Sequence, residues 1–148
     1  MSKKGKQHQW DKYSITKART DEDFLEVVLQ YRNLLGVGIG TTHEAWLMRN
    51  WAGIPVGFCT VQVDDNNNVY LTGVGIMPGS QGLGLQIPLC KKALKWAKKR
   101  GSGCCYTYAL DWNTPSIKNL LRSGFQDWRP KRKQRWVGDD ARYFIATF

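Results

Sequence analysis

The sequence predicts an α+β fold, with a mixed, mostly antiparallel twisted sheet of about six to seven strands and helices on both faces. Strand-like and helix-like segments follow one another in the order β-α-β-β-β-α-β-α-β-β. Three of the strands are consecutive and are separated by turn residues, as in antiparallel neighbours. The length of 148 residues suits one domain with a sizeable core, which we expect over residues 13–148.

The first elements are read from charge and apolar spacing. Residues 1–12 are polar and basic, so we expect a flexible N-terminal arm there. Residues 13–18 alternate as a short strand does. Thr20 followed by Asp23 resembles a capping box, and the apolar spacing after it predicts a helix over 21–35.

The middle of the chain reads as three strands and a helix. The strands are predicted over 44–51, 54–63 and 69–77, with turn residues at 52–53 and 64–68 between them. From Leu85 the apolar spacing becomes helical, with lysines on the opposite face, until the glycines at 101 and 103 stop the helix.

The last part of the chain is predicted to hold one strand, one short helix and two final strands. The strand covers 104–111, and the final strands lie near 125–128 and at 141–147. For the helix, we expect Thr114 as the N-cap, Pro115 as the first helical residue and Gly124 as the stop.

The formal net charge is +10, from 22 Lys and Arg against 12 Asp and Glu. Such an excess attracts polyanions and phosphorylated ligands and repels a strongly basic acceptor. The cations concentrate at residues 3–6, 91–100 and 129–135. For each cluster, a solvated surface is the alternative interpretation.

The cysteines and histidines limit the chemistry and the compartment. The four cysteines have no C-x-x-C spacing, so we expect reduced and mostly buried thiols. With only His8 and His43 beside them, no metal site is expected. No apolar run is long enough for a membrane span and the N-terminus lacks a secretory signal, which favours a soluble, cytoplasmic protein.

The stretch PGSQGLGLQIPL at residues 78–89 lies between a predicted strand and a predicted helix. Glycines allow a ligand to approach the backbone closely, and a helix N-terminus offers unpaired N–H groups and partial positive charge. The stretch therefore predicts an anion site. A tight structural connection is the alternative.

The order of the elements is one part of a larger pattern. The residues QGLG at 81–84 follow a strand that ends in IMP at 76–78, and residues 113–125 have the form N-x-x-S-I-x-x-L-x-x-x-G-F. Together these features resemble the GNAT superfamily of N-acetyltransferases over about residues 13–148. The resemblance implies an acyltransferase that moves the acetyl group of acetyl-CoA, its co-substrate, to an amine.

The resemblance also implies which residues bind acetyl-CoA. In the family, the amides of the glycine-rich turn bind the pyrophosphate; the corresponding residues are Gln81, Gly82, Leu83, Gly84, Leu85 and Gln86. The preceding strand pairs with the pantetheine arm, which implies this role for Val74 and Ile76, and Asn113 matches the asparagine that contacts the same arm. Gln86 departs from the family pattern, which has Gly or Ala there. Lys91 and Lys92 either assist the 3′-phosphate or are simply solvated.

The proton-transfer residues of the family are not at their usual places. The glutamate expected in mid-strand corresponds to Thr72, and the tyrosine seven residues after Asn113 corresponds to Leu120. Three explanations stay open: the acceptor needs no base, other residues substitute, or acetyl transfer was lost.

Substitutes for these residues can be named from the sequence. Tyr108 and Tyr106 share one face of a strand beside the expected opening, and a phenol can donate a proton to a thiolate. Packing is the alternative role of both tyrosines. Further candidates of lower rank are Glu44, Asp64, Asp65, Asp111 and His43.

The acceptor is indicated only by charge and aromatic content. Trp128 and Trp136 bracket a basic run, a combination found on nucleic-acid surfaces. One interpretation is a nucleic-acid contact through the cations of this run: Arg129, Lys131, Arg132, Lys133 and Arg135. The alternative is a mobile loop whose two tryptophans are anchored in the core. The alternative to an enzyme is a catalytically degenerate GNAT-like module that binds nucleic acid or a protein partner. Either a monomer or a homodimer is expected.

Overall fold

The structure is a computed structural model that describes residues 10–40, 42, 44–130 and 140–148. Within these ranges, seven strands form one sheet and three α-helices pack on it. The strands are β1 (Ser14–Lys17), β2 (Glu44–Arg49), β3 (Pro55–Val63), β4 (Val69–Ile76), β5 (Cys104–Leu110), β6 (Gln126–Trp128) and β7 (Ala141–Thr147). The helices are α1 (Asp21–Leu35), α2 (Gln86–Lys99) and α3 (Thr114–Ser123). The predicted fold class is confirmed.

The sheet is mixed, with the strand order β1-β2-β3-β4-β5-β7-β6. Every neighbouring pair is antiparallel except β4 and β5, which run parallel. In the described residues these two strands pair only at Val69–Cys105 and Tyr70–Tyr106. The Oγ1 atom of Thr107 also donates to the carbonyl oxygen of Leu71 at 2.8 Å. Beyond Leu71 no pairing joins the described residues of the two strands, which leaves an opening in the middle of the sheet.

The helices cover opposite faces of the sheet because successive side chains of a strand point to opposite sides. Ala45, Leu47 and Phe58 pack with Val27 and Tyr31 of α1. Their strand neighbours face the other side, where they form the larger core with α2 and α3. This second group includes Trp46, Met48, Cys59, Leu89, Cys90, Ala93, Ile117 and Leu120.

The ends of α1 follow from its sequence. The Oγ1 atom of Thr20 accepts a hydrogen bond from the N–H of Asp23 at 3.1 Å, which satisfies one of the free donors of the first turn. Gly36 adopts a left-handed conformation (φ 72°) and ends the helix. The predicted helix over 21–35 is confirmed.

The predicted cap of α3 is wrong by one residue. Asn113, not Thr114, is the N-cap, and its side chain accepts a hydrogen bond from the N–H of Ser116. Thr114 is therefore the first helical residue and Pro115 the second. Both Asn and Thr are good N-caps, and here the longer Asn side chain reaches the N–H group three residues on. Gly124 (φ 113°) ends the helix, as predicted.

A β-bulge lies in the middle of β4. Thr60 of β3 pairs with Gly73, and Val61 pairs with Leu71, so Thr72 is an extra residue in β4. A Cβ atom on Gly73 would lie 2.6 Å from the ring of Tyr31. Glycine at this position therefore lets α1 approach the bulge closely.

The N-terminal side of the sheet includes part of the predicted arm. Residues 1–9 lie outside the described residues. Trp10, however, packs against the larger core, and its carbonyl oxygen accepts a hydrogen bond from the N–H of Tyr13 at 3.0 Å. No helix in the described ranges has the length and apolar character that a membrane crossing requires.

Candidate active site

The glycine-rich turn lies where the sequence predicts it, between β4 and α2. After β4 the chain makes a 3-10 turn at Pro78–Ser80 and reaches α2 at Gln86. Gly82 (φ 86°) and Gly84 (φ 71°) both adopt left-handed conformations. Such a backbone strains residues that carry a Cβ atom, so the turn depends on these two glycines.

The turn leaves a row of backbone donors unpaired. In the part of the chain that the structure describes, the N–H groups of five consecutive residues meet no protein acceptor: Gly82, Leu83, Gly84, Leu85 and Gln86. No side chain caps the start of α2. Free N–H groups at a helix N-terminus, together with the helix dipole, favour the binding of a phosphate group.

Two glutamines fix the ends of the turn. The Nε2 group of Gln81 donates to the carbonyl oxygen of Ile76 at 2.9 Å, which joins the start of the turn to the end of β4. The Oε1 atom of Gln86 accepts a hydrogen bond from the Nδ2 group of Asn119 at 2.9 Å. The unusual glutamine at the start of α2 is thus held by α3.

The remaining predicted cofactor residues lie beside the opening in the sheet. Val74 and Ile76 belong to the part of β4 that has no partner in β5. Asn113 follows the end of β5. Since β4 and β5 are parallel, their carboxyl ends meet at one edge, which brings Asn113 to the same edge as the turn. The Oδ1 atom of Asn113 caps α3, and its Nδ2 group donates no hydrogen bond to any of the described residues.

Tyr106 lies at the closed end of the opening. Its hydroxyl donates to Oδ2 of Asp64 at 3.0 Å, and its ring stacks on Tyr70 with centroids 5.3 Å apart. Trp128 packs on it at 5.8 Å. Burial, followed by the bond to Asp64, raises the pKa of Tyr106 well above its usual value. The hydroxyl is therefore held in a structural contact.

Tyr108 lies two residues further along β5, where β4 and β5 have separated. It is half-buried, and its ring contacts Tyr143 with centroids 6.4 Å apart. Burial raises the pKa of Tyr31, and the nearby Tyr108 raises it further. Because side chains alternate along β5 and Ala109 faces the larger core, Tyr108 points to the α1 side of the sheet, the side on which Tyr31 packs.

Tyr31 was not identified by sequence reasoning. Its hydroxyl donates to the carbonyl oxygen of Thr72 in the bulge at 3.3 Å. Its helical spacing predicts only a core position, which it also has, since its ring packs on Phe58. A tyrosine instead of an aliphatic residue on the core stripe is the only signal in the sequence.

The two positions that carry the general base and the general acid in the family are Thr72 and Leu120 here, and neither side chain is an acid or a base. The Oγ1 atoms of Thr72 and Thr60 are 2.7 Å apart and share a hydrogen bond. Leu120 lies on the inner side of α3, and its side chain is buried in the larger core.

The candidate carboxylates are engaged or exposed. Glu44 forms an ion pair with Lys17 at 3.5 Å. Besides the bond from Tyr106, Asp64 accepts hydrogen bonds from the N–H groups of Asn66 and Asn68, as a turn residue does. Asp65 and Asp111 are exposed in turns, and His43 lies outside the described residues.

The basic run after β6 is described only in part. Arg129 lines a cavity of about 750 Å³ at the ends of β6 and β7, together with Trp128, Arg142 and Tyr143. The other predicted contacts lie outside the described residues: Lys131, Arg132, Lys133, Arg135 and Trp136. Lys91 and Lys92 are exposed on α2. No cluster of metal-binding side chains occurs in the described ranges.

A sheet that opens between two parallel strands, next to a turn with unpaired N–H groups, offers a cleft for a phosphate-bearing ligand with an extended arm. The sequence model of the acetyltransferase (GNAT) family matches residues 6–125, so the chain belongs to this family. The protein is accordingly an acetyltransferase of the GNAT family, a family that uses acetyl-CoA as co-substrate. No curated protein sequence gave a match.

Solved structures share the fold. The ribosomal-protein-S18-alanine N-acetyltransferase of Escherichia coli superposes with a TM-score of 0.70 at 15% identity, over 91% of this chain and 93% of that chain. The yncA protein of Salmonella typhimurium, solved with its cofactor acetyl-CoA, gives 0.72 at 14% identity, over 93% and 94%. A GNAT-family acetyltransferase of Staphylococcus aureus gives 0.68 at 15% identity, over 90% and 99%.

Proposed function

We propose that the protein acetylates an amine and binds acetyl-CoA with residues 81–86 around the pyrophosphate and the free edge of β4 along the pantetheine arm. The row of five unpaired N–H groups at the start of α2 carries this proposal. Val74 and Ile76 contribute the strand edge. The free Nδ2 group of Asn113 is a suitable donor to an amide carbonyl of the same arm.

Acetyl-CoA, when bound, supplies a thioester whose acetyl group is transferred. For the proton that the departing sulfur needs, we assign the hydroxyl of Tyr108, since it lies where the strands have separated. The proton that the attacking nitrogen loses as the amide forms restores the phenol. Tyr106 is the weaker candidate, because its hydroxyl already donates to Asp64. Tyr31 keeps the bulged strand in place beside this site through its bond to Thr72.

No base is assigned to the protein. Glu44 forms an ion pair with Lys17. Asp64 accepts hydrogen bonds from its own turn and from the hydroxyl of Tyr106. The amine therefore reacts in its neutral form, and positioning of the two reactants supplies most of the rate enhancement. This arrangement suits an acceptor whose amine has a low pKa.

We further propose an acceptor linked to nucleic acid, in the cytoplasm. The net charge of +10 and the arginines and aromatic rings around the cavity beside β6 support this choice. The cavity adjoins the proposed catalytic phenol, because Tyr143 lines it and contacts Tyr108. The cations at 129–135 would meet the phosphates.

The cofactor site is tested by calorimetric titration with acetyl-CoA. Gly84→Asp places a carboxylate among the free N–H groups and should abolish measurable binding. Gly101→Asp is the matched control, because Gly101 also has a left-handed backbone (φ 85°) and open space around it but lies at the other end of α2. Equal affinity in both variants would show that the turn does not bind the cofactor. Binding without acetyl transfer to any amine would favour the catalytically degenerate module.

The acceptor proposal is tested with a labelled single-stranded oligonucleotide at several salt concentrations. Replacing Lys131, Arg132 and Lys133 by Gln should weaken binding and reduce the salt slope by about 2, at ~0.7 per lost phosphate contact. The control replaces three exposed lysines of α2, Lys91, Lys95 and Lys98, in the same way. An unchanged slope in the first variant means that the run only solubilises the protein.

A further inference from the structure

The indole of Trp10 contacts the glycine-rich turn from a distant part of the sequence. Its Nε1 group donates to the carbonyl oxygen of Leu83 at 3.4 Å, across 73 positions of the chain. The ring itself is half-buried against the larger core. The segment before β1 therefore meets the centre of the turn, where Leu83 stands between the two left-handed glycines.

The peptide group between Leu83 and Gly84 needs such a contact. A peptide is planar, so its carbonyl and its N–H point in opposite directions. A donor that holds the Leu83 oxygen on one side also sets the direction of the Gly84 N–H, one of the five unpaired groups. Glycine next to this peptide cannot fix it by steric contact: a Cβ on Gly84 would meet only Ile87, at 3.7 Å, and one on Gly82 would meet nothing.

Apart from Trp10, the described side chains that hydrogen-bond the turn do so at its two ends. Gln81 is bonded to β4, and Gln86 is bonded to α3. In the described residues, Trp10 provides the one side-chain bond to the middle of the turn. Without it, the central peptide can rotate, and binding a ligand would first have to order it.

We propose that Trp10 is a positioning residue for the pyrophosphate of acetyl-CoA, which makes the segment before β1 part of the cofactor site. The proposal rests on the proposed function of the turn. The indole does not touch the ligand; it holds the Leu83 carbonyl so that the N–H groups of the turn stay aligned for the phosphate oxygens.

The test compares three ligands by calorimetry: acetyl-CoA, inorganic pyrophosphate and S-acetylpantetheine, which lacks the pyrophosphate. Trp10→Phe keeps an aromatic ring against the core and removes the N–H. Affinity for acetyl-CoA and pyrophosphate should fall about 3- to 10-fold, the effect of one hydrogen bond. Affinity for S-acetylpantetheine should stay the same. Trp51→Phe, at an indole that is 72% exposed, is the matched control and should change none of the three.

If Trp10→Phe does not fold, β-(3-benzothienyl)alanine at position 10 replaces only the N–H by sulfur and keeps the ring shape. Unchanged acetyl-CoA affinity in either variant would overturn the proposal, as would equal weakening of all three ligands, which indicates general loosening. Failure of the wild-type protein to bind acetyl-CoA would instead refute the function assigned to the turn.

Discussion

The hydroxyl of Tyr31 donates to the carbonyl oxygen of Thr72 at 3.3 Å, and this bond joins α1 to the bulge of β4. The bulge begins the free part of β4, the edge that we assign to the pantetheine arm. A helix on one face of the sheet thereby supports the part of β4 that has no pairing with β5 among the described residues.

Tyr31→Phe should lower the free energy of unfolding by about 1 kcal/mol, because the hydrogen bond is lost while the ring contact with Phe58 remains. Urea unfolding measures this change. Tyr13→Phe, at a half-buried tyrosine that packs on Trp51, removes a hydroxyl away from the bulge and should have a smaller effect. Equal changes in both variants would mean that the bond to Thr72 adds nothing specific.

The two tyrosines of β5 should differ in what they contribute. Tyr108→Phe is expected to lower kcat by roughly 10²- to 10⁴-fold, the range for one proton-transfer group, with little change in stability. Tyr106→Phe should reduce stability by about 1 kcal/mol, through the lost bond to Asp64, and change kcat less. Steady-state kinetics at saturating acetyl-CoA and urea unfolding separate the two effects. The opposite pattern would assign the acid to Tyr106.

The pH dependence of kcat/KM should follow the acceptor and not the enzyme. If the amine supplies its own neutral form, the rate rises with pH toward the pKa of that amine. Two acceptors with different amine pKa values should therefore give profiles displaced by the same difference. An acidic limb near pH ~4, the range of carboxylates, that is identical for both acceptors would contradict this and point to a carboxylate base.

The raised pKa of the buried Cys90 thiol should lower the free energy of unfolding as the pH becomes alkaline. Burial raises the pKa of this thiol to about 12 from its usual value of 9.0, although a hydrogen bond with Ser123 lowers it slightly. The folded state then keeps a proton that the unfolded chain releases, so the thiol's contribution to stability is complete below about pH 9 and is lost as the pH rises toward 12. The slope is about 1.4 kcal/mol per pH unit.

Unfolding in urea under reducing conditions, from pH 8 to 10.5, measures this contribution. Between pH 9 and 10.5, stability should fall less steeply in Cys90→Ala than in the wild-type protein. Cys104→Ala is the control, because Cys104 is only half-buried and should change the slope less. Parallel curves for wild type and Cys90→Ala would show that this thiol titrates alike in both states.

Local rules in the sequence accounted for most of the elements. The bounds of α1 follow from Thr20 and Gly36, which act within one turn of the helix. The hairpin turns also follow local chemistry: Asn50 accepts hydrogen bonds from the N–H groups of Ala52 and Ile54, as Asp64 does in the next turn. Asn113 and Thr114 are adjacent and both are suitable N-cap residues, so N-cap preference alone does not predict which of them caps α3.

The candidate site was predicted where it depends on backbone conformation and missed where it depends on distant contacts. Gly82 and Gly84 indicate a left-handed backbone, and the structure has one at both residues. By contrast, the bonds of Tyr31 to Thr72 and of Tyr106 to Asp64 span 41 and 42 positions. Their existence depends on the register of β3, β4 and β5, including a bulge that no residue type specifies.

The parting of β4 from β5 divides the sheet into two panels, β1–β4 and β5–β7–β6, joined by a short seam. In the described residues, two residue pairs of the backbone ladder cross this seam, together with the bond from Thr107 Oγ1 to the Leu71 carbonyl at 2.8 Å and the bond from the Tyr106 hydroxyl to Asp64 at 3.0 Å. A ligand that pairs with the free edge of β4 would add hydrogen bonds and contacts between the two panels. In hydrogen exchange, the amides of the two panels should therefore open separately in the free protein and together in the complex.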